Sequence, residues 1–343
     1  MVLVTGAAGH LAAALIRALL ESGEGVRAFV LPGEDVASLD GLAVDLVRGN
    51  VLDRDSLEAA LRGVTVVYHL AGIISIMPGH GDVMRRVNVE GTANVASLAR
   101  MAGVKMVYVS SIHALARPPL GIPIDERVPF DPASQAGEYD RTKAAASLAV
   151  LAETARGRDA VIVCPTGIVG PWHYRGGAPM NGQLRTWSRP GVHFVVDGAF
   201  DWVDVRDVAR GMMLAAARGR AGETYIIHGN RVSIADLFTL VRRASGNRTR
   251  SLRVPFGLAL LAAFFAPLHS RLWRKQVSFT RYALETLASN SLVSGAKAER
   301  DLGYTPRPLA DTIRDTVAWL AGSAARAARA ALGVAGGLSP GAP

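Results

Sequence analysis

The chain holds a single cysteine, Cys164, in 343 residues. That excludes a disulfide within the chain and a cysteine metal cluster, and makes a reducing cytoplasm the natural compartment. Lysine is almost as scarce: only Lys105, Lys143, Lys275 and Lys297 stand among 38 basic residues. The formal net charge is +9, yet no block of five or six basic residues occurs. The charge therefore reads as a solvated surface, and nucleic acid is not expected as a partner. His, Asp and Glu show no metal-ligand spacing, so no metal is expected. The nearly uncharged stretch Leu252–Leu268 is too short and too interrupted by proline to span a bilayer. The first twenty residues lack a basic leader and are broken by glycines, so mature protein is expected from Met1. With 50% hydrophobic and 20% charged residues, the composition is that of a globular chain able to bury a large core.

What is present begins at once. Met1–Val4 reads as a short buried strand, Gly6 and Gly9 as a tight turn, and Leu11–Leu20 as a helix rich in Ala and Leu. This arrangement aims unpaired N–H groups and a positive helix end at one spot, which suits the pyrophosphate of a dinucleotide. Ala12 takes the third fingerprint position, where helix and strand pack closely. Further strands are expected at 25–31, 42–49, 64–70, 104–110 and around Val161–Cys164, with helices at 82–102 and 138–156 between them. Alternating elements of this kind predict an α/β fold, a Rossmann-type doubly wound parallel sheet.

The acid that binds the ribose usually ends the second strand, but Phe29, Val30 and Leu31 stand there. The next charges, Glu34, Asp35, Asp40 and Asp45, are negative and would repel a 2′-phosphate. NAD is thus favoured over NADP, with Arg27 and Arg48 the basic groups that oppose that preference. Asn88 falls on the apolar side of its helix, either as a hydrogen-bonded core residue or as part of a site. The strand at 104–110 delivers Ser110 and Ser111 to its C-terminal end, where open parallel sheets bind ligands. Tyr139 and Lys143 lie four apart on one helix face. A lysine ammonium beside a phenol lowers its pKa, which equips the tyrosine as acid or base for an alcohol–carbonyl pair.

Taken together, these residues resemble the extended short-chain dehydrogenase/reductase family. The motifs are Thr5-Gly6-Ala7-Ala8-Gly9, His69-Leu70-Ala71-Gly72, Asn88-Val89-Glu90-Gly91-Thr92, Val109-Ser110-Ser111 and Tyr139-x-x-x-Lys143. Cys164-Pro165-Thr166-Gly167-Ile168, Trp202-Val203-Asp204-Val205-Arg206-Asp207 and Leu302-Gly303-Tyr304-x-Pro306 continue the match to about residue 321. The resemblance implies that Tyr139 is the general acid/base, Lys143 lowers its pKa and holds the nicotinamide ribose, and Ser111 bonds the reacting oxygen. Asn88 would stand near the active site. The cofactor would lie along Gly6, Ala8, Gly9, His10 and Leu11, then Asn50 and Val51, then Leu70, Ala71 and Gly72. Pro165, Thr166, Gly167 and Ile168 would lie against the nicotinamide. Asn50 departs from the aspartate common in the family at the adenine contact. His113, His173 and Tyr174 are candidate substrate contacts beside Ser111.

The resemblance further implies a cofactor core over 1–171, a smaller α+β substrate lobe over 172–321 with returns to the core, and a flexible tail over 322–343. Residues 308–321 read as an amphipathic closing helix; Ser323 is placed to cap another helix to Leu332, with disorder beyond. Helices 82–102 and 138–156 would pair in a homodimer. Two branches compete for function. Dihydroflavonol-reductase and 3β-hydroxysteroid-dehydrogenase-like members act on apolar alcohols and ketones, and this branch is preferred. Nucleotide-sugar epimerases and dehydratases are the alternative, with Arg175, Arg185 and Arg189 available to a diphosphate. A cofactor-binding sensor without turnover is a third reading, opposed by the presence of both Tyr139 and Lys143. The apolar stretch Leu252–Leu268 is expected as a buried helix, a pocket lip or a membrane-touching surface, the last through 252–275 with Arg271, Arg274 and Arg281 beside it.

Overall fold

Seven strands, all parallel, form the central sheet of this computed structural model. It describes residues 1–74, 80–157, 159–174, 179–273 and 281–335, without side chains at 179, 265–273 and 324–335. The first half runs β1 (Val2–Thr5), α1 (His10–Glu21), β2 (Val26–Val30), β3 (Val44–Arg48), α2 (Arg54–Leu61) and β4 (Val66–His69). Next come α3 (Gly81–Met84), a π-helical segment (Arg85–Gly91), α4 (Thr92–Ala102), β5 (Lys105–Val109), α5 (Glu138–Ala155), β6 (Ala160–Pro165) and β7 (Gly167–Val169). The second half runs α6 (Pro179–Trp187), β8 (Gly191–Val196), β9 (Ala199–Asp204), α7 (Val205–Arg218), β10 (Thr224–Ile227), β11 (Asn230–Ser233) and α8 (Ile234–Ser245). The chain closes with β12 (Thr249–Val254), α9 (Phe256–Trp273), α10 (Arg281–Ala288), α11 (Ala296–Leu302) and α12 (Leu309–Ala335).

The sheet order is β10-β6-β5-β4-β1-β2-β3. Its first six strands in chain order give the dinucleotide-binding sequence 3-2-1-4-5-6, with the switch point between β1 and β4. Alternation along β1 shows why it is buried on both faces. Leu3 joins the core under α2, α4 and α5, while Val2 and Val4 join the core under α1, α7 and α11. The lobe expected after residue 172 carries a two-stranded pair β12-β8 and two strands of a three-stranded sheet β11-β9-β7, whose third strand, β7, comes from just before that boundary. From within that stretch α7 returns to pack on α1, and β10 adds to the main sheet beside β6.

Three elements differ from the sequence expectations. The helix expected over 82–102 carries a π-helical segment, Arg85–Gly91, that places Asn88 inward. Such widened turns recur at functional sites. The stretch Leu252–Leu268 is split: Leu252–Val254 close β12, Pro255 breaks the ladder, and α9 starts at Phe256. Its described part is not buried: among the described side chains of α9 only Ala259 and Ala263 are buried, while Leu258, Leu261 and Phe264 are exposed. The closing helix runs on to Ala335 instead of stopping near 321. The Ala-rich continuation has the highest intrinsic helix propensity, and it leaves no break at Ser323 for a separate cap. Arg175, Arg274 and the last residues of the expected tail lie outside the described residues. Among the described residues, no helix is long and apolar enough to cross a membrane.

Candidate active site

The glycine turn is built by close approach. Gly6 sits at φ +65°, and a Cβ there would meet Ala71 Cα and N at 2.8 Å. Only glycine lets the end of β4 come that near. Thr5 Oγ1 accepts from the amides of Leu70 and Ala71, each at 3.2 Å, and bonds His69 Nδ1 at 2.7 Å. α1 begins at the buried Ala8 and at Gly9 with no side-chain cap and no acid in its first turn. A bare helix start beside a glycine-lined gap fits a diphosphate, so the residues present suit a dinucleotide. His10 donates from Nε2 to the Pro171 carbonyl at 2.8 Å, and its ring meets His173 edge-on at 5.0 Å. Burial first, then the neighbouring His173, pushes the His10 pKa down to about 4. Leu11 is half-buried behind it. Asn50 Oδ1 closes a turn on the Leu52 amide at 3.0 Å, and Val51 fills the space that a side chain at Gly91 would need.

At the end of β2 the missing acid is partly restored. Glu34 folds back so that its Oε2 accepts from the Leu31 amide at 2.9 Å. Arg27 is engaged elsewhere, on Asp45 at 2.7 Å and on the carbonyls of Ala60 and Arg62. Arg48 donates to the Leu31 carbonyl at 3.3 Å.

Strand β5 and helix α5 bring Ser111, Tyr139 and Lys143 to the C-terminal edge of the sheet. The two serines sort by their partners. Ser110 Oγ bonds Ser147 Oγ at 2.7 Å inside the core, whereas Ser111 accepts from the His113 amide and faces the Tyr139 phenol. Burial pushes Tyr139 up to about 12, opposed by the nearby Ser111 hydroxyl. Lys143 Nζ donates to the Val109 carbonyl at 2.6 Å and to Tyr108 Oη at 3.2 Å, 4.7 Å from the Tyr108 ring centroid. Burial pulls its pKa down to about 8. The expected lowering of the Tyr139 pKa by Lys143 is therefore not what this geometry produces. The phenol is raised because its desolvation outweighs the effect of the Ser111 hydroxyl.

Lys143 heads a buried chain. Tyr108 stands beside Thr92, whose Oγ1 bonds His69 Nε2 at 2.9 Å, and His69 Nδ1 bonds Thr5. A line of buried polar side chains thus runs from α5 to the strand that carries the glycine turn. Asn88 forms a second tie. Its Oδ1 accepts from the Ile73 amide at 2.7 Å, and its Nδ2 donates to the Ile73 carbonyl and to Thr142 on α5. Both amide hydrogens are used in that bridge, which lies beside Gly72.

An aromatic wall faces Tyr139. The His113 ring stacks on Phe200 at 5.7 Å and lies 6.0 Å from Tyr282 and 6.4 Å from Tyr139. Burial lowers the His113 pKa, so the ring is neutral at neutral pH. Tyr282 donates to Asp140 Oδ1 at 2.7 Å, and Arg117 pairs with Asp140 Oδ2 at 3.0 Å. Pro165–Ile168 runs along the same cleft. Thr166 Oγ1 donates to Asp201 at 2.6 Å, while a Cβ at Gly167 would strike Trp202 at 2.6 Å and Phe200 at 3.0 Å. Spacing revealed none of Phe200, Asp140, Arg117 and Tyr282, because each enters through contacts across the fold.

The contacts of His173 and Tyr174 run elsewhere. His173 meets His10, and Tyr174 takes a hydrogen bond from Arg17 at 3.3 Å and packs on Trp319 of α12. Trp172, at φ +66°, lies under the Arg17 guanidinium at 5.2 Å. This cluster belongs to the glycine-turn end of the cleft. Arg185 and Arg189 are exposed on and just after α6.

The family model for the NAD dependent epimerase/dehydratase family matches residues 2–228. The chain belongs to that family. Within it, the chain is 37% identical to the sterol demethylase protein B of Methylococcus capsulatus, covering 92% of this chain and 97% of that one. It is 31% identical to a 3 beta-hydroxysteroid dehydrogenase/Delta 5→4-isomerase of Mycobacterium tuberculosis, over 89% of this chain and 86% of the relative. Among solved structures it resembles gox2253 with a TM-score of 0.80 and 31% identity, covering 94% and 98% of the two chains. The chain is thus an NAD(P)-dependent enzyme of the extended short-chain dehydrogenase/reductase type.

Proposed function

We propose that this enzyme interconverts a secondary alcohol and a ketone on a small apolar substrate, with Tyr139 as the acid/base. The observation that carries the reading is the setting of Tyr139: a buried phenol beside Ser111, next to a wall of His113, Phe200 and Tyr282. Such a wall suits a ring system or chain of carbon far better than a sugar diphosphate. The relatives named for a sterol and a steroid support the same substrate class.

The nicotinamide, when bound, supplies hydride exchange with the substrate carbinol carbon. Gly6, Ala8, Gly9 and the start of α1 would hold its diphosphate, Leu70–Gly72 and Pro165–Ile168 would line its course, and Lys143 would reach its ribose. Tyr139, held protonated by burial, gives its proton to the ketone oxygen during reduction. Ser111 would steady the charge developing on that oxygen by donating from its hydroxyl, which the His113 amide already holds in position. The carboxylate of Glu34 at the end of β2 and the engagement of Arg27 by Asp45 favour NAD. Pairing of α4 and α5 across a homodimer is supported by Met101 and Leu148, which those helices expose.

The test is NADH oxidation with apolar ketones, 3-ketosteroids included, for the wild type and Tyr139→Phe. Turnover that falls at least about 100-fold in the variant, with NADH binding retained, supports the reading. A variant as active as the wild type, or tightly retained NAD with no net redox on any ketone, would overturn it.

A further inference from the structure

The two-stranded pair β8–β12 has one face that no other part of the described structure fully covers. In its parallel register Val192 stands opposite Arg250, Phe194 opposite Leu252, and Val196 opposite Val254. Side chains two apart along a strand point the same way, so these six share a face. α9 packs on one end of it, where Val196 meets Ala259 and Ala263, with Val254 alongside. The other end stays open: Val192 and Phe194 are each 56% exposed and Leu252 is 53% exposed. The outer side of α9 prolongs the same apolar ground, with Leu258 at 60% and Leu261 at 57% exposure. Arg250 on that face and Arg248 just before β12 are exposed, and Arg253 is exposed on the opposite side of the strand. Between Asp236 and Glu285 the sequence has no acidic residue, but eight arginines and one lysine.

We propose that this face, Val192, Phe194 and Leu252 with the outer side of α9, docks on the surface of an anionic lipid bilayer. The occupant follows from the chemistry. Apolar side chains flanked by arginines match an interface whose headgroups are negative and whose next layer is hydrocarbon, and the exposed acid Asp197 stands at the far end of β8, beyond the open part of the face. Arginine stems cover apolar ground while their heads reach the phosphates. A second copy of this chain fits poorly, because it would bring two strongly positive faces together. The surface also stands one helix from the cleft. Leu284 of α10 packs in the cluster with Ala259 and Ala263, and Tyr282 on the same helix bonds Asp140 beside Tyr139. A substrate dissolved in the bilayer would thus have a short course to the wall around His113, a step that rests on the function proposed above. The docking itself does not.

The experiment is flotation of the purified full chain with phosphatidylcholine vesicles and with vesicles containing 30% phosphatidylglycerol, a readout independent of turnover. Binding to the anionic vesicles is expected, at least tenfold weaker on pure phosphatidylcholine and weakened by 0.5 M salt. Arg250→Gln should weaken it about fivefold. Leu258→Asp with Leu261→Asp should abolish it with an unchanged melting curve, since both side chains are already exposed. Absence of binding to anionic vesicles overturns the proposal, as does binding indifferent to both sets of changes. A dimer in sedimentation velocity that the aspartates dissociate would assign the face to self-association and overturn it as well.

Discussion

Lys143 lies 8% exposed against the Val109 carbonyl and Tyr108, and burial draws its pKa from 10.5 to about 8. A displacement of that size corresponds to about 3 kcal/mol, at roughly 1.4 kcal/mol per unit. The unfolded chain keeps the lysine proton up to pH 10.5, while the folded cofactor-free enzyme releases it near 8. Between those values the unfolded state binds more protons, so this group makes folding more favourable as pH rises. Below pH 8 the cost of burying the charge is carried in full. Lys143→Met removes it. At pH 7 the variant gains about 3 kcal/mol, from which the orphaned Val109 carbonyl and Tyr108 hydroxyl take back ~1–3 kcal/mol. That offset is similar at every pH below the tyrosine range, whereas the gain fades toward pH 10. The stability difference between variant and wild type should therefore move by about 3 kcal/mol in favour of the wild type from pH 7 to pH 10. Urea unfolding of both proteins across that range measures it. Parallel curves would mean that Lys143 titrates near its ordinary value, and the buried-cation reasoning would fail.

Acid should act in the opposite part of the scale. Burial lowers His10 to about 4 and His69 to about 3, so both are neutral when folded and bind protons when unfolded below 6.5. Stability should fall as pH drops from 6.5 toward 4, and His10→Gln should reduce the slope of melting temperature against pH by about one proton's worth. Gly6→Ala should lose NADH binding and at least about 2 kcal/mol of stability, since it adds ~1–2 kcal/mol of left-handed strain to a backbone collision with Ala71; an NADH titration with wild-type affinity would refute this. Tyr282→Phe removes a single bond, to Asp140, at the edge of the cleft. It should raise KM for an apolar ketone several-fold with kcat changed less than about twofold, and a kcat-only effect would disprove that placement.

Much of the cofactor core was legible because its grammar is local. Val2–Val4, Gly6 and Gly9 specify a strand, a close turn and a helix start within a dozen residues. The Ser-ended β5 and the four-residue spacing of Tyr139 and Lys143 likewise need no knowledge of the rest. Other features depend on partners far along the chain. His113 became part of a wall only when β9 brought Phe200 and α10 brought Tyr282 beside it. Glu34 is a local exception: it turned back onto Leu31, three residues away, by a rotamer choice that no motif announces.

The sequence by itself determined the order of strands and helices, the glycine turn, and the set of groups available for proton transfer. These follow from backbone preference and apolar periodicity, which act over a few residues. Only the tertiary structure decided which neighbours each group has. It separated Ser111 from Ser110, drew Lys143 onto Tyr108 and Val109, and left α9 with its leucines outward. Desolvation and hydrogen bonding depend on what surrounds an atom in space, and those surroundings come from residues tens to hundreds of positions away.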